Sequence, residues 1–111
     1  MNVRRLAPGL FELYIPEGHT VITLKVDDSI YSVLDFPNRS DFLRRVAEDL
    51  ARGRIDPKAL RRPGMTTRNH VISFRTSETV AERLNKLARR LSWSRSELII
   101  AAALHELGVM I

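Results

Sequence analysis

The spacing of apolar and polar positions changes period twice between residues 70 and 107. Over Val71 to Arg75 the two kinds alternate: Ile72 and Phe74 point one way, and Val71, Ser73 and Arg75 the other, as on a strand. From Val80 the period lengthens. Val80, Leu84, Leu87, Ala88 and Leu91 recur at helical spacing and share one face. A short break follows. Ser94, with Glu97 three residues on, then carries the signature of a capping box at the start of a second helix. The pattern predicts strand, helix, helix.

An earlier stretch repeats it. Thr20 to Val26 alternates, with Val21, Thr23 and Lys25 on one face and Ile22, Leu24 and Val26 on the other. Residues Ile22 to Ile30 match Ile72 to Val80, fifty positions later, in character at every place except Val26 against Thr76. Both strands run onto an N-cap, Asp27 or Ser77, with an acid in the first turn, which the helix dipole favours. Asn38-Arg39-Ser40-Asp41-Phe42-Leu43 parallels Ser94-Arg95-Ser96-Glu97-Leu98-Ile99 at an offset of fifty-six. The first copy has therefore lost six residues, from its first helix (Asp28 to Phe36) or the turn after it. That helix keeps Ile30, Val33 and Leu34 on one face. The next carries Phe42, Val46 and Leu50, with Leu43 and Ala47 beside them.

The chain thus divides into an N-terminal extension (1–19), a first, shortened unit (20–52), a linker (53–69) and a second unit (70–111). One such unit cannot bury its apolar faces alone and needs a twin. The linker, at roughly 3.3 Å per extended residue, is long enough for both strands to pair within one chain. Pairing between two chains is the other arrangement the pattern allows. The linker holds Gly53, Pro57, Pro63 and Gly64, with a short helical stretch over Pro57–Arg62. Residues 1–9 read as loosely structured, with a turn at Ala7-Pro8-Gly9. Leu10 to Ile15 is a short strand that folds back on Thr20–Val26 or lies elsewhere. An unrelated strand-helix-helix element in 20–52 is the alternative to a repeat; the matched capping motifs weigh against it.

Ile72-Ser73-Phe74-Arg75, Ser77-Glu78-Thr79-Val80, the Leu84/Leu87 pair and Ser94-Arg95-Ser96-Glu97-Leu98-Ile99 together resemble the ribbon-helix-helix DNA-binding proteins of the CopG, Arc and MetJ kind. The resemblance covers roughly residues 69–111, and the repeat extends it to a tandem arrangement like that of TraY. It implies an α+β, mainly α fold: two tandem units sharing a two-stranded antiparallel ribbon and four core helices, plus a short N-terminal strand. In that family the ribbon enters the major groove. The implied base contacts are Val21, Thr23, Lys25, Val71, Ser73 and Arg75. Lys25 or Arg75 would donate to guanine, the Thr23 and Ser73 hydroxyls would accept from donors or donate to acceptors, and the valines would meet thymine methyls. The implied phosphate contacts lie at the two helix starts: Asn38, Arg39 and Ser40, and Ser94, Arg95 and Ser96.

Charge supports a polyanionic partner. Across 111 residues there are 18 cations against 13 acids, a net +5, with a pI near 10.4. Only Lys25, Lys58 and Lys86 are lysines, and arginine's fixed donor fork suits phosphate and guanine edges. From Asn38 to Arg68 nine cations face four acids. There Arg61, Arg62 and Arg68 suit either a basic arm on the duplex or an ordinary solvated loop.

Other chemistries find little support. The chain has no cysteine, hence no disulfide and no thiolate metal site. His19, His70 and His105 lack metal-ligand spacing and read as structural or exposed, so no metal or other cofactor is expected. No Gly-rich phosphate loop or nucleophile–base pair is present, and no enzymatic activity is expected. No apolar run approaches a membrane span and no signal peptide is evident, so a location in the cytoplasm, on DNA, is expected. The function expected is sequence-specific binding of double-stranded DNA by an intrachain pseudo-dimer, as a transcriptional repressor. An antitoxin, a relaxosome or partition accessory factor, and a protein-interaction module of the same fold are the alternatives. Leu107, Val109 and Ile111 leave association into a larger homo-oligomer open.

Overall fold

Two eight-residue strands form the centre of the molecule, β3 (His19–Val26) and β4 (His70–Ser77), paired antiparallel within the chain. The computed structural model describes residues 2–5, 12–15, 18–64 and 67–109. Alternation does what a period of two requires: Ile22, Leu24 and Val26 are buried on one face with Ile72, Phe74 and Thr76. A lone two-stranded ribbon is marginal in water and needs a helical layer on its apolar face. Four helices supply that layer.

Each strand runs directly into a helix. Asp27 closes β3, and its carboxylate accepts from the Ile30 N–H to start α1 (Asp28–Val33). Ser77 ends β4 and caps α3 (Glu78–Leu91) in the same way, through the Val80 N–H. Both strand-to-helix junctions therefore read correctly from the sequence. α1 is six residues against fourteen in α3, the shortening expected of the first copy. α3 stops at Ser92, which adopts the left-handed conformation (φ 59°). The second helix of each half follows: α2 (Arg39–Ala51) and α4 (Arg95–Glu106). The fold is thus α+β and mainly helical, with a two-stranded antiparallel sheet and four helices.

α4 is the most deeply placed element. Every residue from Leu98 to Leu104 is buried, an apolar run with no polar face. α2 keeps a stripe of Leu43, Val46, Ala47 and Leu50 inward and exposes Arg44 and Arg45. The aromatic rings Tyr31, Phe36, Phe42 and Trp93 are half-buried against the same core, so Trp93 packs as a cover over the α3–α4 turn.

Two regions differ from the sequence reading. The linker is packed, with Ile55, Leu60 and Pro63 buried, and among its described residues the helical stretch is a 3-10 turn over Pro57–Ala59 capped by Asp56. These three buried side chains lie too far apart in sequence to show a period, yet they suffice to dock it. At the N-terminus, β1 (Asn2–Arg5) pairs antiparallel with β2 (Glu12–Ile15) in a separate two-stranded sheet. A strand is expected over Leu10–Ile15, and Glu12–Ile15 forms one; its partner is Asn2–Arg5, in a segment expected to be loose, and not β3. Asn2–Arg5 has one apolar residue in four, so no alternation was there to read. The Ala7-Pro8-Gly9 turn signal lies outside the described residues.

Candidate nucleic-acid interface

The outward face of the ribbon follows from the register. Val21 lies opposite Arg75, Thr23 opposite Ser73, and Lys25 opposite Val71. Thr23, Lys25, Val71, Ser73 and Arg75 are exposed, and Val21 is half-buried. The Thr23 and Ser73 hydroxyls meet at 3.4 Å in the middle of this surface. All six residues expected to form one face do so. Val71, at 59% exposure, is a large apolar side chain left in solvent. The two cations sit at opposite ends of the face, each across from a valine.

The start of α2 lies beside the Arg75 end. Ser40 and Arg44 line a cleft with Val21, Ser73, Phe74 and Arg75. The expected capping motif here is not formed. Asn38 is the N-cap residue, but it is left-handed (φ 62°, ψ 27°) and its side chain makes no cap hydrogen bond. An N-cap side chain reaches the first turn from extended backbone, and the turn after Pro37 holds Asn38 away from that geometry. Asp41, the match to Glu97, instead accepts from Arg44. Arg39 is half-buried with its guanidinium 5.6 Å above the Tyr31 ring, and Ser40 is exposed.

The start of α4 is built as expected and then altered by the linker. Ser94 and Glu97 form a complete capping box, which uses the N–H groups of both residues. Ser94 is exposed, and Arg95 and Ser96 are half-buried; Arg95 also donates to Asn85 at 3.4 Å. The Glu97 carboxylate is only 9% exposed and receives two hydrogen bonds from Arg62, at 2.7 and 3.2 Å. Those bonds outweigh burial and bring its pKa from the usual 4.5 to about 2, with Ser94 helping. This corrects the reading of Arg62 as part of a basic arm: it ties the linker to α4. Arg61 and Arg68 are exposed.

One cluster escaped the sequence reading. The His70 ring stacks on Tyr31 at 4.2 Å and bonds through Nε2 to the Asp28 carboxylate, which Asn69 also reaches. The His70 bond first, and the Asn69 bond second, hold the Asp28 carboxyl below its usual range. Asp28 and His70 are far apart in sequence, and only the strand register, Val26 opposite His70, could have placed them together. His19 and His105 are exposed. Among the described residues no group of His, Cys, Asp or Glu is placed to hold a metal ion, and no helix is long and apolar enough to cross a membrane.

A second groove lies at the far ends of α2 and α3. Leu50, Ile55 and Leu87 line it, with Arg83, Lys86 and Arg90 along its α3 side. No protein-family model, curated protein or solved structure matches this chain.

Proposed function

We propose that this chain is a tandem ribbon-helix-helix protein that binds double-stranded DNA sequence-specifically, as a transcriptional repressor acting in the cytoplasm. The observation that carries the reading is the strand register. The sequence repeat, with its offset of fifty, makes Thr23 equivalent to Ser73. A two-fold axis between equivalent antiparallel strands must pass between equivalent residues that face each other. Thr23 and Ser73 do face each other, and Ile22–Phe74 and Leu24–Ile72 exchange across them. Two separate lines of argument, one from sequence and one from pairing, select the same point.

A two-stranded ribbon fits the major groove, which is roughly 12 Å wide. Arg75 and Lys25 would reach guanine edges from the two ends of the face. Thr23 and Ser73 sit over the centre, and Val21 and Val71 over thymine methyls. Among the described residues the first N–H groups of α2, and those of Arg95 and Ser96, have no side-chain cap, and they would face the phosphates on either side.

Fluorescence anisotropy against labelled duplexes at several salt concentrations tests this reading. Affinity should fall linearly with salt on logarithmic axes, as counterions are released. Arg75→Ala should lose about 1–3 kcal/mol and relax sequence preference. Unchanged affinity and selectivity in that variant would remove the ribbon from the reading. The basic rim of the α2–α3 groove favours a second reading, a protein-interaction module. A flat salt dependence of duplex affinity would select it.

A further inference from the structure

Two cations and two hydroxyls converge at one end of the ribbon. Arg44 and Ser40 of α2 share a cleft with Arg75 and Ser73 of β4. Both arginines are exposed. Asp41 occupies one donor of Arg44 and fixes its direction, and four guanidinium donors remain of the usual five. The Arg75 guanidinium has no partner among the described residues.

At the other end of the ribbon the matching positions carry different side chains. The sequence repeat matches Arg75 to Lys25, Ser40 to Ser96 and Arg44 to Ile100. Ile100 is fully buried, and so is Ala101, the match to exposed Arg45. α2 packs along β4, whereas α4 touches β3 at few points. The linker, which has no counterpart in the first unit, is tied to α4 by Arg62 and Glu97. The covered side of α4 and the open side of α2 are therefore different surfaces.

We propose that the Ser40–Arg44–Arg75 cleft is an anion site for one duplex phosphate, and that the protein consequently grips one half of its DNA site harder than the other. The inference rests on the duplex-binding reading above. A guanidinium offers two parallel donors to a phosphate, a geometry that fixes position as well as adding attraction. A phosphate held by Arg44 and Ser40 also sets the height of Arg75 over the base edges. Lys25 lacks the fork, and the residue that matches Arg44 on its side is the buried Ile100. The half-site under Arg75 is the one read stringently, and the half under Lys25 is read loosely.

The test uses the full chain and a pool of duplexes randomised over two helical turns, titrated at several salt concentrations. Wild type is compared with Arg44→Ala and Arg45→Ala. Arg45 is an exposed neighbour that does not line the cleft, so its loss removes the same charge without the site. Arg44→Ala should weaken binding about tenfold, as loss of a charged hydrogen bond does. Its salt slope should fall by about 1. Arg45→Ala should barely change either. Sequences selected by wild type should show one sharp and one loose half. Equal losses in Arg44→Ala and Arg45→Ala, or two equally sharp halves in the selected sequences, overturn the one-sided grip and leave duplex binding standing. Absence of salt-dependent binding by the wild type overturns both.

Discussion

Thr76 is where the two matched strands differ in character, and the difference has a physical consequence. It is 1% exposed, and its hydroxyl has no hydrogen-bond partner among the described residues. The matching residue of the first copy is Val26, fully buried in the same sheet face. An unpaired buried hydroxyl costs about 1–3 kcal/mol relative to a satisfied one. Valine has nearly the same shape and carries no such group. Thr76→Val should therefore raise stability by about 1 kcal/mol, seen as a higher midpoint in urea with an unchanged slope. A lower midpoint would mean that the hydroxyl has a partner, such as a bound water, and that the site is polar by need.

At the scale of elements, much was legible because the signals are local. Period two marked β3 and β4, the helical period marked α2 and α3, and Asp27, Ser77 and Ser94 marked three of the four helix starts. Asn38 misled because residue type alone does not reveal a left-handed backbone. The docking of the linker was not legible. Arg62 and Glu97 are 35 residues apart, and Glu97 already had a complete local explanation in its capping box. The same distance hid the Asp28–His70–Tyr31 cluster, as well as the cleft that joins Ser40 and Arg44 to the ribbon. The linker contact has a pH signature. Glu97 has a folded-state pKa below its ordinary value, so its ionised form stabilises the fold at neutral pH. That contribution is complete above pH 4.5 and is lost as pH falls through about 2. Glu97→Gln keeps a capping-box acceptor but removes the charge that Arg62 binds. It should be less stable than wild type at neutral pH, and the gap should close on acidification across that window. Denaturant titrations at a series of pH values would measure it. A gap that stays constant down to the lowest pH would assign the loss to packing and not to the ion pair.

The whole molecule closes its ribbon inside one chain. β3 and β4 supply all the pairing in that sheet, and the helices that cover its buried face come from the same 111 residues. A ribbon shared between two chains would unfold at a temperature that rises with protein concentration, because association then stabilises the folded form by mass action. Here the loop from β3 to β4 has already brought the strands together, and closing it costs only the slowly growing entropy of loop length. Among the described residues β3 and β4 pair only with each other, and Lys25 and Arg75 stand at opposite ends of the face and oppose flat stacking of a second copy. Leu107 and Val109, each more than one-third exposed, are the other apolar residues that could draw copies together. Ile111 lies outside the described residues. The thermal midpoint of the free protein should thus be independent of concentration, and sedimentation should give the mass of one chain. A midpoint that climbs with concentration in wild type but not in Val109→Ser would place self-association at the C-terminal end. A climb that persists in that variant would instead mean that the ribbon exchanges strands between chains.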